Sequence, residues 1–575
     1  MKALLCRAFD ALRSPARWAV LCRACALGGA VFFVYIADGR FFGSRDSVPA
    51  RYLPHTILHE FNTDFNEFTD LYKDGVPYYL VKCGESYRSG SPPMAGFLAL
   101  PVHLAAHLLP NPDTDESLER QEKIAAALIV AASVVLVFLA AREIASGAVP
   151  LIVVLVYAFG TSAFSTSAQA LWQHGPSQLF LAAAGLALLR GRCTGRFWPL
   201  GAILGMAVLS RPTNVVAVLV VGGYILVARR RQFLPYVLAG LPFLVFGAWY
   251  NSDYGTVLGP YYSHYHGDPG RWWSSPFWYT LTAHLVSPNR GLLVFSPVMA
   301  LALAGFWQKV VRERDVAFLC MALIVIGHMV LISKFAVWWA GYSFGPRYSA
   351  DIMPLAALFL TPVVQRVAQK PKSVLTGVFM LLAVVSVAIH ACGVFSDKPY
   401  LWNTEPSVDE YPSRLWDWRD GQILSVLHGR RPTTIPFDSL PTDVGIRCRD
   451  SAARYGWCRR LDPAGSPATL SFPVSLAPKA YDLTFRARVA GSEQVPGPAG
   501  ELSVICPGGQ VVATVPLPSR PPEGGRYATY RARLTVPGGD GNVPCVCRFS
   551  SSGKATVWLD HVTLKGTRRK ALETP

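Results

Sequence analysis

Apolar runs of about 14–22 residues recur through the first two thirds of this 575-residue chain, and they restrict the fold more than any other feature. Runs of this length with few charges are typical of helices that cross a lipid bilayer. The composition agrees, because 51% of the residues are hydrophobic and only 16% are charged. The sequence therefore predicts a polytopic α-helical membrane protein.

The distribution of basic residues predicts the topology. With the N-terminus in the cytoplasm, the predicted cytoplasmic segments contain 17 Lys and Arg residues, whereas the outer loops after the first contain five. This asymmetry follows the positive-inside rule, so the net charge of +17 indicates topology and not nucleic-acid binding. We predict about eleven transmembrane helices, at 18–37, 122–141, 148–165, 177–190, 197–213, 214–228, 233–250, 291–308, 316–336, 350–365 and 373–394.

The segment 94–109, MAGFLALPVHLAAHLL, could be counted as a further span. That count would place Arg229, Arg230 and Arg231 outside the membrane, against the charge rule. The segment is also short and contains His103 and His107, so we predict a helix on the outer membrane surface. The first outer loop, 38–121, then contains two such juxtamembrane helices.

The first of these helices begins beside an acidic residue. From Val48 onward, apolar residues recur at helical spacing, and Asp46 and Ser47 occupy the place of an N-cap. Asp46 has two interpretations. It caps the helix, or it stands at the front of an active site.

The chain loses its apolar runs after residue 394. We predict a transmembrane domain at 1–394, a linker rich in Trp and Pro at 395–434, and a soluble domain at 435–575. Alternating segments at 481–489, 528–536 and 557–564, separated by Gly and Pro turns, predict an antiparallel β-sandwich, with a jelly roll as one possible form. Such domains often bind carbohydrate, although a fold alone does not establish that function.

Five of the twelve cysteines lie in this last domain, as expected for an oxidising compartment. Cys448 with Cys458 is one plausible disulfide. Cys506 with either Cys545 or Cys547 is another, and the sequence does not decide between the two partners.

Several short motifs share a predicted location at the outer ends of the spans. They are DSVPARY at 46–52, NTDFNEF at 62–68, SPP at 91–93, LWQHG at 171–175, SRPT at 210–213, NSDYG at 251–255, SPNRGLLVFSP at 287–297 and GPRY at 345–348. Their order resembles that of the GT-C glycosyltransferases over residues 15–390. The similarity is to the bacterial type that uses polyprenyl-phosphate sugars, as mannosyl-, aminoarabinose- and arabinofuranosyltransferases do.

The resemblance implies a catalytic role for Asp46, the acid of the first outer loop. A carboxylate there can accept the proton that an acceptor hydroxyl loses as it attacks the sugar. The leaving lipid phosphate needs fixed positive charge, so Arg347, Arg211, His174 and Tyr348 are the predicted phosphate-binding residues. Weaker substrate-binding candidates are Arg51, Tyr52, Lys82, Tyr262, Asn289 and Arg290.

Each of these residues also has a structural interpretation. Arg347 and Arg211 could be cations that reach from helix ends to the membrane surface, and His174 could belong to an aromatic belt. His264, His266 and Asp268 lack the context of a closed metal site, so we predict no metal and no certain cofactor.

The sequence thus predicts a membrane glycosyltransferase, inverting, that moves a sugar from a polyprenyl-phosphate donor to a periplasmic glycan, lipid or protein. The expected location is the bacterial inner membrane, with the C-terminal domain in the periplasm. One alternative is a transporter or flippase of lipid-linked saccharides, for which internal repeats and charges near the bilayer midplane would be expected. Another is a non-catalytic glycan-binding membrane protein.

Overall fold

The computed structural model contains two compact units, Met1–Tyr400 and Leu401–Pro575. The structure describes residues 15–72, 75–255, 259, 273–404, 407–409, 411–428, 433–437, 440, 444–450, 452–453, 457–463, 467–476, 480–490, 497–519, 526–537 and 543–566.

The first unit is helical. Its described α-helices are α1 (Pro15–Ile36), α2 (Val48–His55), α3 (Met94–Ala106), α4 (Asp115–Arg142), α5 (Val149–Phe159), α6 (His174–Thr194), α7 (Pro199–Ser210), α8 (Val215–Ala228), α9 (Phe233–Asn251), α10 (Phe277–Val286), α11 (Leu292–Phe295), α12 (Ala302–Phe306), α13 (Val316–Ile332), α14 (Met353–Leu358), α15 (Thr361–Gln369) and α16 (Val374–Phe395). Two short helices follow, α17 (Lys398–Thr404) and α18 (Ser425–His428).

Four helical segments among the described residues are long and apolar enough to cross a membrane, namely Trp18–Ile36, Asp115–Arg142, Arg230–Tyr254 and Val374–Phe395. A fifth span is possible if the bent pair Arg347–Leu358 and Thr361–Gln369 counts as one. These are the helices of a membrane protein, but the predicted number of eleven spans is not confirmed.

Several predicted spans are shorter or broken in the structure, among them those predicted at 148–165, 291–308 and 350–365. The helix predicted at 148–165 ends at Phe159, only 11 residues after it starts. The span predicted at 291–308 is interrupted after Phe295, because Pro297 cannot continue a helix and restricts the residue before it.

The predicted amphipathic helix of the first outer loop is α2, which continues as a π-helical turn over Thr56–Glu60. A hairpin of β1 (Leu80–Cys83) and β2 (Ser86–Ser89), which the sequence did not indicate, separates it from α3. The helix α3 has 13 residues, which corresponds to about 20 Å and is shorter than the ~30 Å hydrocarbon core.

The core of the first unit forms around α4, whose buried face is rich in small residues and contacts α1, α3, α5 and α6. Such residues let helix backbones approach closely in a membrane. The crossing of α7 and α9 is an example. A Cβ at Gly201 would lie 1.9 Å from the carbonyl oxygen of Tyr236, so only glycine fits at that position.

The second unit contains two antiparallel sheets. One has the order β10–β7–β12–β5–β4, with β3 also paired to β12, and the other has the order β6–β11–β8–β9. The strands are β3 (Thr433–Pro436), β4 (Ile446–Arg449), β5 (Trp457–Leu461), β6 (Thr469–Leu476), β7 (Ala480–Ala490), β8 (Pro498–Ile505), β9 (Val511–Pro518), β10 (Ala528–Thr535), β11 (Val543–Ser551) and β12 (Thr556–Gly566).

The two sheets share one hydrophobic core. Phe485 of β7 and Phe549 of β11 meet across it, with ring centres 5.5 Å apart. Alternate residues of β7 are buried, as the period of a half-buried strand requires. The predicted strands at 481–489, 528–536 and 557–564 are therefore confirmed as parts of β7, β10 and β12, although β10 ends one residue early.

Candidate functional site

Asp46 lies in a short 3₁₀ turn, Arg45–Ser47, between α1 and α2. Ser44 caps this turn, because its hydroxyl accepts a hydrogen bond from the backbone N–H of Asp46 at 3.2 Å. Pro49 occupies the first turn of α2, where no intrahelical donor is needed. The Asp46 carboxylate is therefore not the cap and faces other parts of the unit.

Both carboxylate oxygens of Asp46 have close partners. The hydroxyl of Tyr78 donates a hydrogen bond to Oδ1 at 2.7 Å, and Nη1 of Arg347 donates to Oδ2 at 2.8 Å. The Asp46 side chain is 28% exposed, whereas that of Arg347 is 8% exposed. The ion pair joins residues 301 positions apart and leaves the carboxylate accessible from one side.

Arg347 begins a 3₁₀ turn, Arg347–Ile352, that leads into α14. The chain reaches this turn through Gly345, whose φ of +64° and close approach to the ring of Phe295 exclude a side chain. The guanidinium carbon of Arg347 lies 4.5 Å from the ring centre of Trp172, a cation–π distance. Backbone geometry and this aromatic face together fix the direction of the guanidinium.

A second group of charges lies one helical turn beyond Arg347. Asp351 accepts from Nδ1 of His174 at 2.8 Å, and its other oxygen lies 3.0 Å from Nη1 of Arg211. His328 is also near, with Nε2 at 3.7 Å from Asp351. All four side chains are at most 5% exposed, so their charges compensate one another in a place without water.

Tyr348 connects the two groups. The guanidinium carbon of Arg211 lies 5.2 Å from its ring centre, and that of Arg347 lies 5.8 Å from it. The structure thus brings together the predicted catalytic residue and all four predicted phosphate-binding residues, although they come from four distant segments of the sequence.

Arg51 and Tyr52, by contrast, join α2 to α4. Nε of Arg51 lies 2.6 Å from Glu122, and Nη1 lies 3.1 Å from Glu119. The Tyr52 hydroxyl donates to Asp115 at 3.0 Å. Burial and this hydrogen bond raise the pKa of Tyr52 to about 12, so the phenol stays neutral. These contacts hold the first surface helix against the helix bundle.

The other weak candidates are dispersed. Lys82 lies on the hairpin, 5.9 Å from the ring centre of Tyr87. Asn289 and Arg290 are buried, and Arg290 donates hydrogen bonds to the carbonyl oxygens of Asn289, Trp339 and Gly341. Tyr262 lies outside the described residues, as do His264, His266 and Asp268.

Sequence reasoning missed four members of the site. A buried acid in an apolar helix is a functional candidate by default, so Asp351 could have been found from its position four residues after Arg347. His328, within an apolar run, carried the same signal. Trp172 stands in the LWQHG motif but had no assigned role, and Tyr78 had no signal, because only the folding of the chain brings Tyr78 to Asp46 and Trp172 under Arg347.

A small cavity of about 20 Å³, enough for about one water molecule, adjoins this arrangement and shares Trp172 with it. Its lining is mostly aromatic, with a few hydroxyl groups, and includes Phe42, Ser165, Thr166, Tyr342, Ser343 and Tyr400.

No family model and no curated protein matches the sequence. Among solved structures, the chain is similar to the Archaeoglobus fulgidus oligosaccharyltransferase, with 12% identity over 71% of this chain and 60% of that one, at a TM-score of 0.44. It is also similar to ArnT from Cupriavidus metallidurans, with 14% identity over 72% and 74% of the two chains, at a TM-score of 0.40. A carbohydrate-binding module from Cellvibrio mixtus lichenase 5A matches 24% of this chain and 97% of its own, with 15% identity and a TM-score of 0.16. With TM-scores this low, none of these similarities establishes the activity or the substrate of the chain.

Proposed function

We propose that this chain is an integral-membrane glycosyltransferase that takes a sugar from a polyprenyl-phosphate donor and transfers it to a periplasmic acceptor. The observation that carries the proposal is the Asp46–Arg347 pair, a partly exposed carboxylate held 2.8 Å from an oriented guanidinium. Such a transfer requires a general base and a phosphate-binding cation at one place, and Asp46 and Arg347 would have these two roles.

In the proposed reaction, the acceptor hydroxyl oxygen attacks the anomeric carbon of the sugar. The bond between that carbon and the phosphate oxygen breaks, and its electron pair leaves on the lipid phosphate. Asp46 takes the hydroxyl proton, while Arg347 binds the phosphate as its negative charge increases. Attack opposite to the leaving group inverts the anomeric centre.

The buried group around Asp351 supports this role of Arg347. Asp351 compensates the charge of Arg211, and Arg211 packs on Tyr348 beside Arg347. Arg211 therefore has its own acid, Asp351, and Arg347 is paired with Asp46. A phosphate bound at Arg347 would complete the charge balance once Asp46 is engaged by the acceptor.

The proposed setting is a bacterial inner membrane, with the N-terminus in the cytoplasm and the second unit in the periplasm. The β-sandwich of the second unit is a candidate glycan-binding domain. Sugar, lipid length and acceptor are left to experiment.

The test uses the full-length protein in nanodiscs with a panel of labelled polyprenyl-phosphate sugars and periplasmic glycan, lipid and protein fractions. We expect release of polyprenyl phosphate with one donor, and none with Asp46→Asn. Transbilayer movement of an intact donor would instead identify a flippase, and the absence of any donor binding would contradict both functions.

A further inference from the structure

Four metal-binding side chains converge at the end of α2 farthest from Asp46. His55 ends the helix, and His59 follows one turn later in the π-helical turn. His107 caps the C-terminal end of α3, and Asp113 precedes α4 by two residues. We call His55, His59, His107 and Asp113 the histidine cluster.

The potential ligand atoms lie close together. Those of His55, His59 and Asp113 are all within 4.8 Å of one another. Nδ1 of His55 lies 3.0 Å from Oδ1 of Asp113, and Nε2 of His107 lies 3.7 Å from the same oxygen. Nε2 of His59 lies 2.8 Å from Nε2 of His107. Ligands around a tetrahedral zinc with bonds of 2.0–2.1 Å are about 3.3 Å apart, which falls within this range.

A hydrogen bond to the ring of His107 orients one potential ligand atom, its Nε2. Nδ1 of His107 lies 2.7 Å from the carbonyl oxygen of His103. A carbonyl oxygen only accepts, so Nδ1 carries the proton, and in the neutral ring Nε2 holds its lone pair near His59 and Asp113. Metal-binding histidines are oriented by this kind of second hydrogen bond.

The side chains of the histidine cluster are partly exposed, so the cluster is accessible from solvent. The side chains of His55 and His107 are 18% and 27% exposed, and that of Asp113 is 42% exposed. An ion can therefore enter from the outer face. The three imidazoles are neutral donors, and the single carboxylate partly compensates a divalent charge.

From this geometry we infer that the histidine cluster binds a divalent transition metal with zinc-like preferences, coordinated by His55, His59, His107 and Asp113. Three nitrogens and one oxygen suit Zn²⁺ and do not suit Ca²⁺ or Mg²⁺, which require oxygen ligands. The bound ion clamps together α2, α3 and the start of α4, and its role is structural, since four protein ligands leave no position for substrate. The inference is independent of the proposed glycosyl transfer.

The experiment purifies the full-length protein on a tag without histidines, removes metal with a chelator and equilibrates it with ZnCl₂ before gel filtration. Elemental analysis should find one Zn²⁺ per chain in the wild type. The His59→Gln/His107→Gln variant should lose this zinc, whereas His561→Gln, in the second unit, should retain it. Zinc content equal to wild type in the double variant would overturn the inference, as would absence of zinc from the wild type.

Asp113→Asn keeps the volume of its side chain and covers the case in which the double variant does not fold. It should weaken zinc binding by at least about tenfold, because loss of a residue that only supports a ligand already costs about 10–100-fold and Asp113 is itself a ligand. Zinc should also raise the melting temperature of the wild type and leave that of Asp113→Asn nearly unchanged. In the wild type, bound Co²⁺ should show the intense visible bands of a tetrahedral site. A faint octahedral spectrum would contradict the four-ligand geometry.

Discussion

The oxygens of Asp46 divide their contacts between a phenol and a guanidinium, and neither contact is one that a helix cap would make. The capping is done by Ser44. A carboxylate freed from capping and partly exposed is available for proton transfer, so the chemistry of this position can be tested separately from its structural effect.

Asp46→Asn should keep the fold and expression level but remove nearly all glycosyl transfer. The amide retains the size of the side chain and a hydrogen bond from Tyr78, but it cannot accept a proton. Loss of a general base costs about 10²-fold or more in rate. Donor turnover measures the effect, with Asp253→Asn, an exposed partner of Arg88, as the control. Near-normal turnover of Asp46→Asn would remove the catalytic assignment.

Arg347→Lys should weaken donor binding although the positive charge remains, because an ammonium group cannot make the planar two-donor contact. Arg347→Ala should be worse, by roughly 1.5–3 kcal/mol if one charge-assisted hydrogen bond is the main loss. Donor affinity is measured in nanodiscs at matched expression, with Arg40→Lys at an exposed pair as the control. If Arg347 only extends to the membrane surface, lysine should replace it with almost no loss of donor binding. That result would exclude Arg347 as the phosphate clamp.

Asp351→Asn should destabilise the protein by about 3–5 kcal/mol, because it leaves the buried charge of Arg211 without its acid. The matched control is Asp397→Asn, whose carboxylate pairs with Arg40 at the surface and is 64% exposed. That pair should contribute no more than about 1 kcal/mol. Unfolding transitions of both variants in the same detergent provide the comparison. Equal losses of stability would show that Asp351 is not electrostatically coupled to Arg211.

At the scale of elements, the first outer loop is a connected layer. Arg51 and Tyr52 attach α2 to α4, and the hairpin brings Tyr78 to Asp46. The placement of α3 decides whether the chain that follows it stays on the same side of the membrane as this layer. Its 13 residues are too few to cross a bilayer without strong thinning, which favours a surface helix.

The topology follows from this placement and can be read with fused reporters. We expect a reporter after Arg231 or Arg314 to be cytoplasmic, and one after Pro575 to be periplasmic, because the basic loops stay inside. If α3 crosses the membrane, the signals at 231 and 314 exchange sides. That exchange would place the charged groups differently and contradict the proposed periplasmic active site.

At the scale of the whole molecule, the second unit places two pairs of cysteines side by side. Cys448 and Cys458 face each other across β4 and β5, with sulfurs 3.1 Å apart. The sulfurs of Cys506 and Cys545 are 2.8 Å apart. The choice between Cys545 and Cys547, open from the sequence, therefore falls on Cys545 in this structure.

In an oxidising compartment we expect the disulfides Cys448–Cys458 and Cys506–Cys545, with Cys547 as a buried thiol. Removing the second pair should destabilise the unit more, by about 4 against about 3 kcal/mol, since it closes the longer loop. Peptide mapping without reduction identifies the pairs, and unfolding of the two double Cys→Ser variants measures the difference. A Cys506–Cys547 peptide would contradict this pairing.

The sequence alone determined the features that depend on local patterns. Apolar runs indicate membrane helices because the thickness of the bilayer sets their length. Alternation of apolar and polar residues indicates strands because one face of a sheet is buried. It also singled out Arg347, Arg211 and His174, since charges at span ends are costly unless they are used, and Asp46 through the resemblance of its motif.

The tertiary structure alone decided which of these residues meet. The contact of Asp46 with Arg347 spans 301 positions and depends on how the helices pack, a property that no local period encodes. The same holds for Tyr78, for Trp172 and for the histidine cluster, whose members come from three segments of one loop. The physical reason is that the burial of whole helix faces decides how the helices pack. That packing then brings chemically unlike side chains into contact, whatever their own sequence neighbours are.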